Sequence, residues 1–156
     1  MNTRHTLLSL AFVLLGTSAC QHTDEGSETR PTGINVLSAE TLRQASKGTV
    51  DFATHVKPIL AAKCVACHQS AALPGKLSLE SHAAARRSGA LGAYIIPGAP
   101  DRSLFLTKLD EAHANLQAMP PVGETLTPEE VGLLRRWIAQ GAIWPEGSAG
   151  RVNAPR

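Results

Sequence analysis

The chain has 156 residues, of which 18% are charged, and its formal net charge is only +2. This length suits one domain with short additions, and the lack of a basic run with interleaved aromatic residues argues against nucleic acid as a partner. Aromatic residues make up 4% of the chain. That fraction is low for an ordinary core and favours a fold in which a cofactor supplies apolar volume.

The N-terminus is predicted to be a secretory signal peptide over residues 1–19. Arg4 precedes a short apolar stretch at positions 7–15, which small residues follow. The stretch is too short to remain as a membrane-spanning helix. Cys20 comes directly after the small residues, and this arrangement resembles the lipobox of bacterial lipoproteins. We therefore expect a periplasmic protein of the bacterial cell envelope, anchored to a membrane through a lipid on Cys20. The alternative is simple cleavage after Ala19.

The remaining chain divides by composition. Residues 20–50 are polar and mixed, which predicts a flexible tether, with a short helix from Ser38 to about Ala45. Residues 51–145 are predicted to form one domain, and residues 146–156 a disordered tail.

Four helical segments are predicted in the domain, and no segment shows the alternation of a strand. The first is a helix leading into Cys64, indicated by an apolar stripe of Phe52, Val56, Ile59 and Leu60. The second is a short helix from Ser81 to near Gly89, and the third runs from about Arg102 to Ala112. Pro58 must lie in the first turn of the first helix or kink it. The fourth helix has Thr127 as N-cap and Glu130 three residues later, and it ends near Gly141. The predicted fold class is all-α.

The most informative motif is Cys64-Val65-Ala66-Cys67-His68. Two cysteines separated by two residues and followed by histidine form the attachment site of a c-type haem. On a helical turn, positions three apart face the same side, so Cys64 and Cys67 can both reach one edge of the porphyrin. His68 then supplies the proximal axial ligand of the iron.

Two other chemistries fit the same cysteines less well. A dithiol redox site is expected near a βαβ unit, and no strand pattern flanks Cys64 or Cys67. A zinc site needs four ligands, and the chain has no second pair of cysteines with this spacing. Both alternatives remain open beside covalent haem.

The sixth position of the iron is assigned to Met119, which precedes Pro120 and Pro121 in a predicted loop. A thioether is a soft ligand that favours ferrous iron and raises the reduction potential. The prolines favour an extended path that suits a ligand loop. The rival ligands are three histidines, namely His55, His82 and His113.

The segment from Phe52 to Pro145 resembles the class I cytochrome c superfamily and, within it, the planctomycete-type cytochrome c domain. The matching motifs are the haem-attachment motif, Gly75-Lys76-Leu77-Ser78-Leu79, Ile96-Pro97-Gly98-Ala99-Pro100, Met119-Pro120-Pro121, Leu126-Thr127-Pro128-Glu129-Glu130 and Trp137 to Pro145. The resemblance implies one covalent haem c, and an N-terminal helix that packs Phe52 or Val56 near Trp137. It also places Pro97 on the histidine side of the haem, where a backbone carbonyl accepts the Nδ1–H of His68.

The expected function is single-electron transfer by an exported monohaem cytochrome, between a redox donor and an acceptor, without enzymatic activity of its own. One alternative is an electron-transfer subunit fixed in a larger periplasmic or membrane dehydrogenase. The other is a haem peroxidase, which requires that Met119 leave the iron open and that His82 or His113 assist proton transfer.

Overall fold

A computed structural model describes residues 33–110, 119–120 and 125–155. The helical elements are α1 (Ala39–Lys47), a π-helical turn (Phe52–Val56), α2 (Lys57–Lys63), a 3-10 turn (Pro74–Lys76), α3 (His82–Arg87), α4 (Leu91–Tyr94), a 3-10 turn (Pro100–Arg102), α5 (Leu104–Asp110) and α6 (Pro128–Ala139). These residues contain no strand, which confirms the all-α prediction. None of the helices described is long and apolar enough to cross a membrane. Cys20, His113 and Pro121 lie outside the described residues.

The first predicted helix is present, but it opens with a wide turn. The N–H of Lys57 reaches back five residues to the carbonyl of Phe52. Pro58 follows in the first turn of α2, and it has no N–H with which to continue the ordinary helical ladder. All four apolar residues of the predicted stripe are buried, so the turn and α2 present one continuous face to the core.

Helix α6 provides the other half of the core. Thr127 and Glu130 form the predicted capping box, which satisfies backbone donors at the start of the helix. The ring of Phe52 lies 6.0 Å from that of Trp137 and 5.0 Å from that of Trp144, measured between centroids. This confirms the expected packing of the N-terminal helix near Trp137.

The other helices follow the sequence with two differences. Helix α3 begins after the N-cap Ser81 and ends before Gly89, whose φ of 82° suits glycine. Helix α5 begins at Leu104 rather than near Arg102, because the 3-10 turn occupies the residues before it. Helix α4 was not predicted, since its four residues are too few to show a periodic pattern.

Buried residues lie beyond both ends of the segment assigned to the domain. Leu42 and Ala45 of α1 are buried, and α1 contacts α6. Beyond residue 145, the N–H of Val152 donates to the carbonyl of Glu80 at 2.8 Å, and Val152 is buried. Each extension contributes only a few buried apolar side chains within a polar stretch. Composition alone therefore predicted a tether with one short helix and a disordered tail.

The Thr127 cap yields a stability prediction. We expect Thr127→Ala to lower the free energy of unfolding by about 1–2 kcal/mol, because the Glu130 N–H loses its acceptor at 3.2 Å. Thr127→Ser keeps the hydroxyl and is the matched control. Urea unfolding followed by circular dichroism measures both, and equal losses in the two variants would contradict the role of the cap.

Candidate functional site

A cavity of about 290 Å³ lies at the end of α2 and brings together the side chains singled out in the sequence. Its volume is near the lower end of the range for cofactor sites, which is about 300–1,000 Å³. Its walls are formed by Lys63, Cys64, Cys67, His68, Pro74, Gly75, Leu77, Leu79, Tyr94, Phe105, Lys108, Leu109, Met119 and Pro120. Cys67 is exposed, so the cavity reaches the surface where the second thiol lies.

The attachment motif is held in a turn that continues from α2. The N–H of Cys64 donates to the carbonyl of Leu60 at 3.1 Å, as the last bond of the helix. The carbonyl of Cys64 then accepts from the N–H of Cys67 at 3.2 Å and of His68 at 2.9 Å. This tight turn directs all three side chains of the motif to the same cavity.

The imidazole of His68 is held from behind by the segment that follows the motif. Its Nδ1 lies 3.2 Å from the carbonyl of Leu77, and the carbonyl of His68 accepts from the N–H of Leu79 at 2.7 Å. A carbonyl can only accept, so Nδ1 carries a proton. Burial lowers the pKa of His68. The side chain is thus neutral and able to ligate a metal through Nε2.

The hydrogen bond of His68 corrects the prediction for Pro97. The acceptor is the carbonyl of Leu77, and Pro97 is exposed and does not line the cavity. The physical reason is the path of the chain. Leu77 and Leu79 run alongside His68, whereas the N–H of Gly98 donates to the carbonyl of Ile138 at 2.8 Å and ties the Pro97 segment to α6.

The environment of Cys64 is not that of a reactive redox thiol, and the described residues contain no set of ligands for zinc. Burial, with a smaller contribution from the charge of Glu130, raises the pKa of Cys64 to about 12. Reactive redox cysteines have a lowered pKa instead. No cluster of three or more potential metal-ligating His, Cys, Asp or Glu side chains occurs among the described residues, and structural zinc needs four ligands.

Met119 lies in the wall of the same cavity, together with Pro120 and two apolar residues of α5, Phe105 and Leu109. Its backbone N–H donates to the carbonyl of Lys108 at 3.1 Å, which anchors the methionine segment to α5. The cavity thus joins one imidazole and one thioether, the donor pair that an axially ligated haem iron takes.

Two of the rival histidines are engaged elsewhere. Nδ1 of His55 accepts from the N–H of Asp51 at 2.9 Å, and Nδ1 of His82 lies 2.7 Å from a carboxylate oxygen of Glu146. Neither lines the cavity. His113, the third rival, lies outside the described residues.

The rim of the cavity between Leu73 and Lys76 has a strained backbone. Leu73, Gly75 and Lys76 have φ values of 43°, 62° and 57°. Such left-handed conformations are costly for residues other than glycine and cluster at ligand sites. At Gly75 a Cβ atom would lie 2.5 Å from the hydroxyl oxygen of Tyr94. Glycine at position 75 therefore avoids the strain of the left-handed conformation and leaves room for the hydroxyl of Tyr94.

We expect Gly75→Ala to destabilise the protein by about 1–3 kcal/mol, which is the range for a strained backbone conformation. Because the added Cβ would also contact the hydroxyl of Tyr94, the loss should lie toward the upper end of this range. Gly89→Ala is the matched control, because Gly89 also has a positive φ of 82° but no atom within 4 Å of the added Cβ. Urea unfolding of both variants measures the difference. Equal losses of stability in the two variants would show that the contact with Tyr94 adds nothing to the cost of Gly75→Ala. If the contact does add to it, Tyr94→Phe should restore part of the stability that Gly75→Ala loses.

Sequence reasoning missed Leu77 and Lys63. The contribution of Leu77 comes from its backbone carbonyl, which no side-chain pattern reveals. A lysine beside the motif is expected at the surface, whereas the side chain of Lys63 is 4% exposed. Only its position directly before Cys64 could have indicated a role.

Comparison with known proteins points to the same chemistry. The model of the family described as planctomycete cytochrome C matches residues 64–123, from the first cysteine of the motif to just beyond Met119. The chain is also 32% identical over 143 residues to hydrazine synthase subunit alpha of Kuenenia stuttgartiensis. That alignment covers 73% of this chain and 18% of the relative, so the chain spans less than a fifth of its length. No solved structure matches.

The residues present fit the cofactor that such a domain carries. Two free thiols, a neutral imidazole and a thioether share one apolar cavity with an opening at Cys67. Thiols for covalent attachment and His/Met donors are the set that haem c requires. The family match over residues 64–123 therefore supports a cytochrome c-type domain, which implies covalently bound haem c.

Proposed function

We propose that this protein is an exported monohaem c-type cytochrome that carries single electrons between redox partners, with His68 and Met119 as axial ligands. The observation that supports the proposal most directly is the cavity that Cys64, Cys67, His68 and Met119 line together. Haem c bound there would supply a one-electron couple between ferric and ferrous iron.

The protein residues have separate roles in this proposal. The carbonyl of Leu77 fixes the tautomer and orientation of His68 and strengthens the imidazole as a donor. The soft thioether of Met119 favours the ferrous state and raises the reduction potential. Leu77, Leu79 and Phe105 surround the site with apolar groups that limit access of water.

The proposal includes no enzymatic activity. With His68 and Met119 both bound to iron, no position remains for a substrate such as peroxide. His82, suggested as a proton donor for a peroxidase, is paired with Glu146 and does not line the cavity. Export through residues 1–19 and a membrane anchor at Cys20 complete the proposal.

A second candidate is a fixed electron-transfer subunit of a larger enzyme. It is favoured by the similarity to hydrazine synthase subunit alpha, whose name describes one subunit of an enzyme. The electron-transfer chemistry would be the same, but the protein would not diffuse between partners.

Visible absorption of the protein exported in a host that attaches haem c tests the proposal. A c-type spectrum that changes reversibly on oxidation and reduction is expected, with a weak red band in the ferric state from the thioether–iron bond. A high-spin spectrum, together with rapid reaction of the protein with peroxide, would favour the peroxidase. Co-purification of stoichiometric partner subunits from the native membrane would favour the fixed subunit over the mobile carrier.

A further inference from the structure

Lys63 and Glu130 form a buried ion pair beside the cavity. The Nζ of Lys63 lies 2.8 Å from Oε2 of Glu130, and the two side chains are 4% and 0% exposed. The same Nζ donates to the carbonyls of Ile34 at 2.8 Å and Thr125 at 2.9 Å. The ammonium group has three donors, and each of them therefore has an acceptor.

Glu130 is equally well satisfied. Besides Lys63, it accepts from the N–H of Val36 at 2.7 Å and from the N–H of Thr127 at 3.0 Å. Burying two charges costs more than it returns unless every polar atom has a partner, and even then an apolar pair is often as stable. The pair is thus poorly explained by stability alone, and its positions in the fold indicate another use.

Lys63 and the partners of the pair belong to three segments near the cavity. Lys63 precedes Cys64 directly, at the end of the helix that leads into the attachment motif, and it lines the cavity. Thr125 follows Met119 by six positions. The bond from Lys63 to the Thr125 carbonyl therefore fixes the chain shortly after Met119, and the bond from the Met119 N–H to the Lys108 carbonyl fixes Met119 itself.

The third segment is residues 33–38, here called the strap. Its Gly33 N–H donates to the hydroxyl of Thr125 at 3.0 Å. A Cβ atom at Gly33 would lie 1.6 Å from the Thr125 carbonyl oxygen and 3.1 Å from the Nζ of Lys63. The strap can make this contact only with glycine at position 33, and it contacts the pair through the carbonyl of Ile34 and the N–H of Val36.

We propose that Lys63 and Glu130 are positioning residues, which hold Thr125 and the strap against the end of α2 and so keep the Met119 thioether on the haem iron. The inference rests on the proposed His68/Met119 ligation. It predicts that loosening the pair leaves haem attached but makes Met119 easier to displace.

Displacement of Met119 by imidazole in the ferric holoprotein measures this directly, since loss of the red thioether band reports ligand exchange. Lys63→Met removes the ammonium group and should raise the apparent affinity for imidazole at least tenfold. Gly33→Ala leaves both charges in place and displaces the strap, and it should raise that affinity by a smaller factor of about three. Glu40→Gln removes the exposed pair between Glu40 and Arg43 on α1 and should change nothing.

The outcomes separate the two proposals. Unchanged imidazole affinity in Lys63→Met and Gly33→Ala, with the band intact in the wild type, would overturn the positioning role alone, even if both variants unfold more easily. If Lys63→Met fails to accumulate as holoprotein, Gly33→Ala decides the question. A wild-type protein without a Met119-dependent band would overturn the ligation and the positioning role together.

Discussion

Replacing both Cys64 and Cys67 with alanine is expected to abolish covalent haem. Both thiols line the cavity beside His68, and the two thioethers they would form are the only covalent links that the motif offers. Haem staining of a denaturing gel measures the loss, because only covalently attached haem remains with the denatured chain. Intact mass spectrometry should show the unmodified polypeptide.

The single variants and a cysteine outside the motif make this test specific. Cys64→Ala and Cys67→Ala each leave one thiol and should keep a reduced amount of haem. Cys20→Ser removes the third cysteine of the chain and should leave haem attachment intact while abolishing any lipid anchor. Full haem staining in the double variant would refute attachment at the motif. The dithiol and zinc alternatives would then have to be considered for both thiols.

The sequence predicted the elements whose signals are local. The spacing of the attachment motif, the apolar stripe from Phe52 to Leu60 and the capping box at Thr127 each depend on residues within one or two turns of a helix. The structure confirms the stripe and the capping box, and it brings both cysteines of the motif and Met119 to the cavity that contains His68.

The features that escaped prediction depend on residues distant in the sequence. The partner of His68 is a backbone carbonyl at Leu77, whose placement follows from how the chain turns at the strained rim. The buried contact between Lys63 and Glu130 joins residues 67 positions apart. A single sequence gives no sign that two charged residues on different helices will meet in the interior, since each is individually typical of a surface.

Met119→Ala is expected to remove the red thioether band and to lower the reduction potential. Alanine has no donor atom, so the soft ligand that stabilises ferrous iron is lost while His68 and both thioethers remain. The potential should fall by roughly 0.1 V or more, within the roughly 0.8 V range that axial ligation spans. Spectroelectrochemical titration of the holoprotein measures the band and the potential together.

The rival histidines provide the controls for Met119. His55→Ala and His82→Ala should leave the spectrum unchanged, because these side chains bond to Asp51 and Glu146 outside the cavity. His113→Ala tests the remaining rival. If Met119→Ala keeps a low-spin spectrum and an unchanged potential while one histidine variant loses both, that histidine is the sixth ligand and the cytochrome has bis-histidine iron. If Met119→Ala alone changes the spectrum, His68 and Met119 fill both axial positions of the iron, and electron transfer without bound substrate is the function that such a site permits.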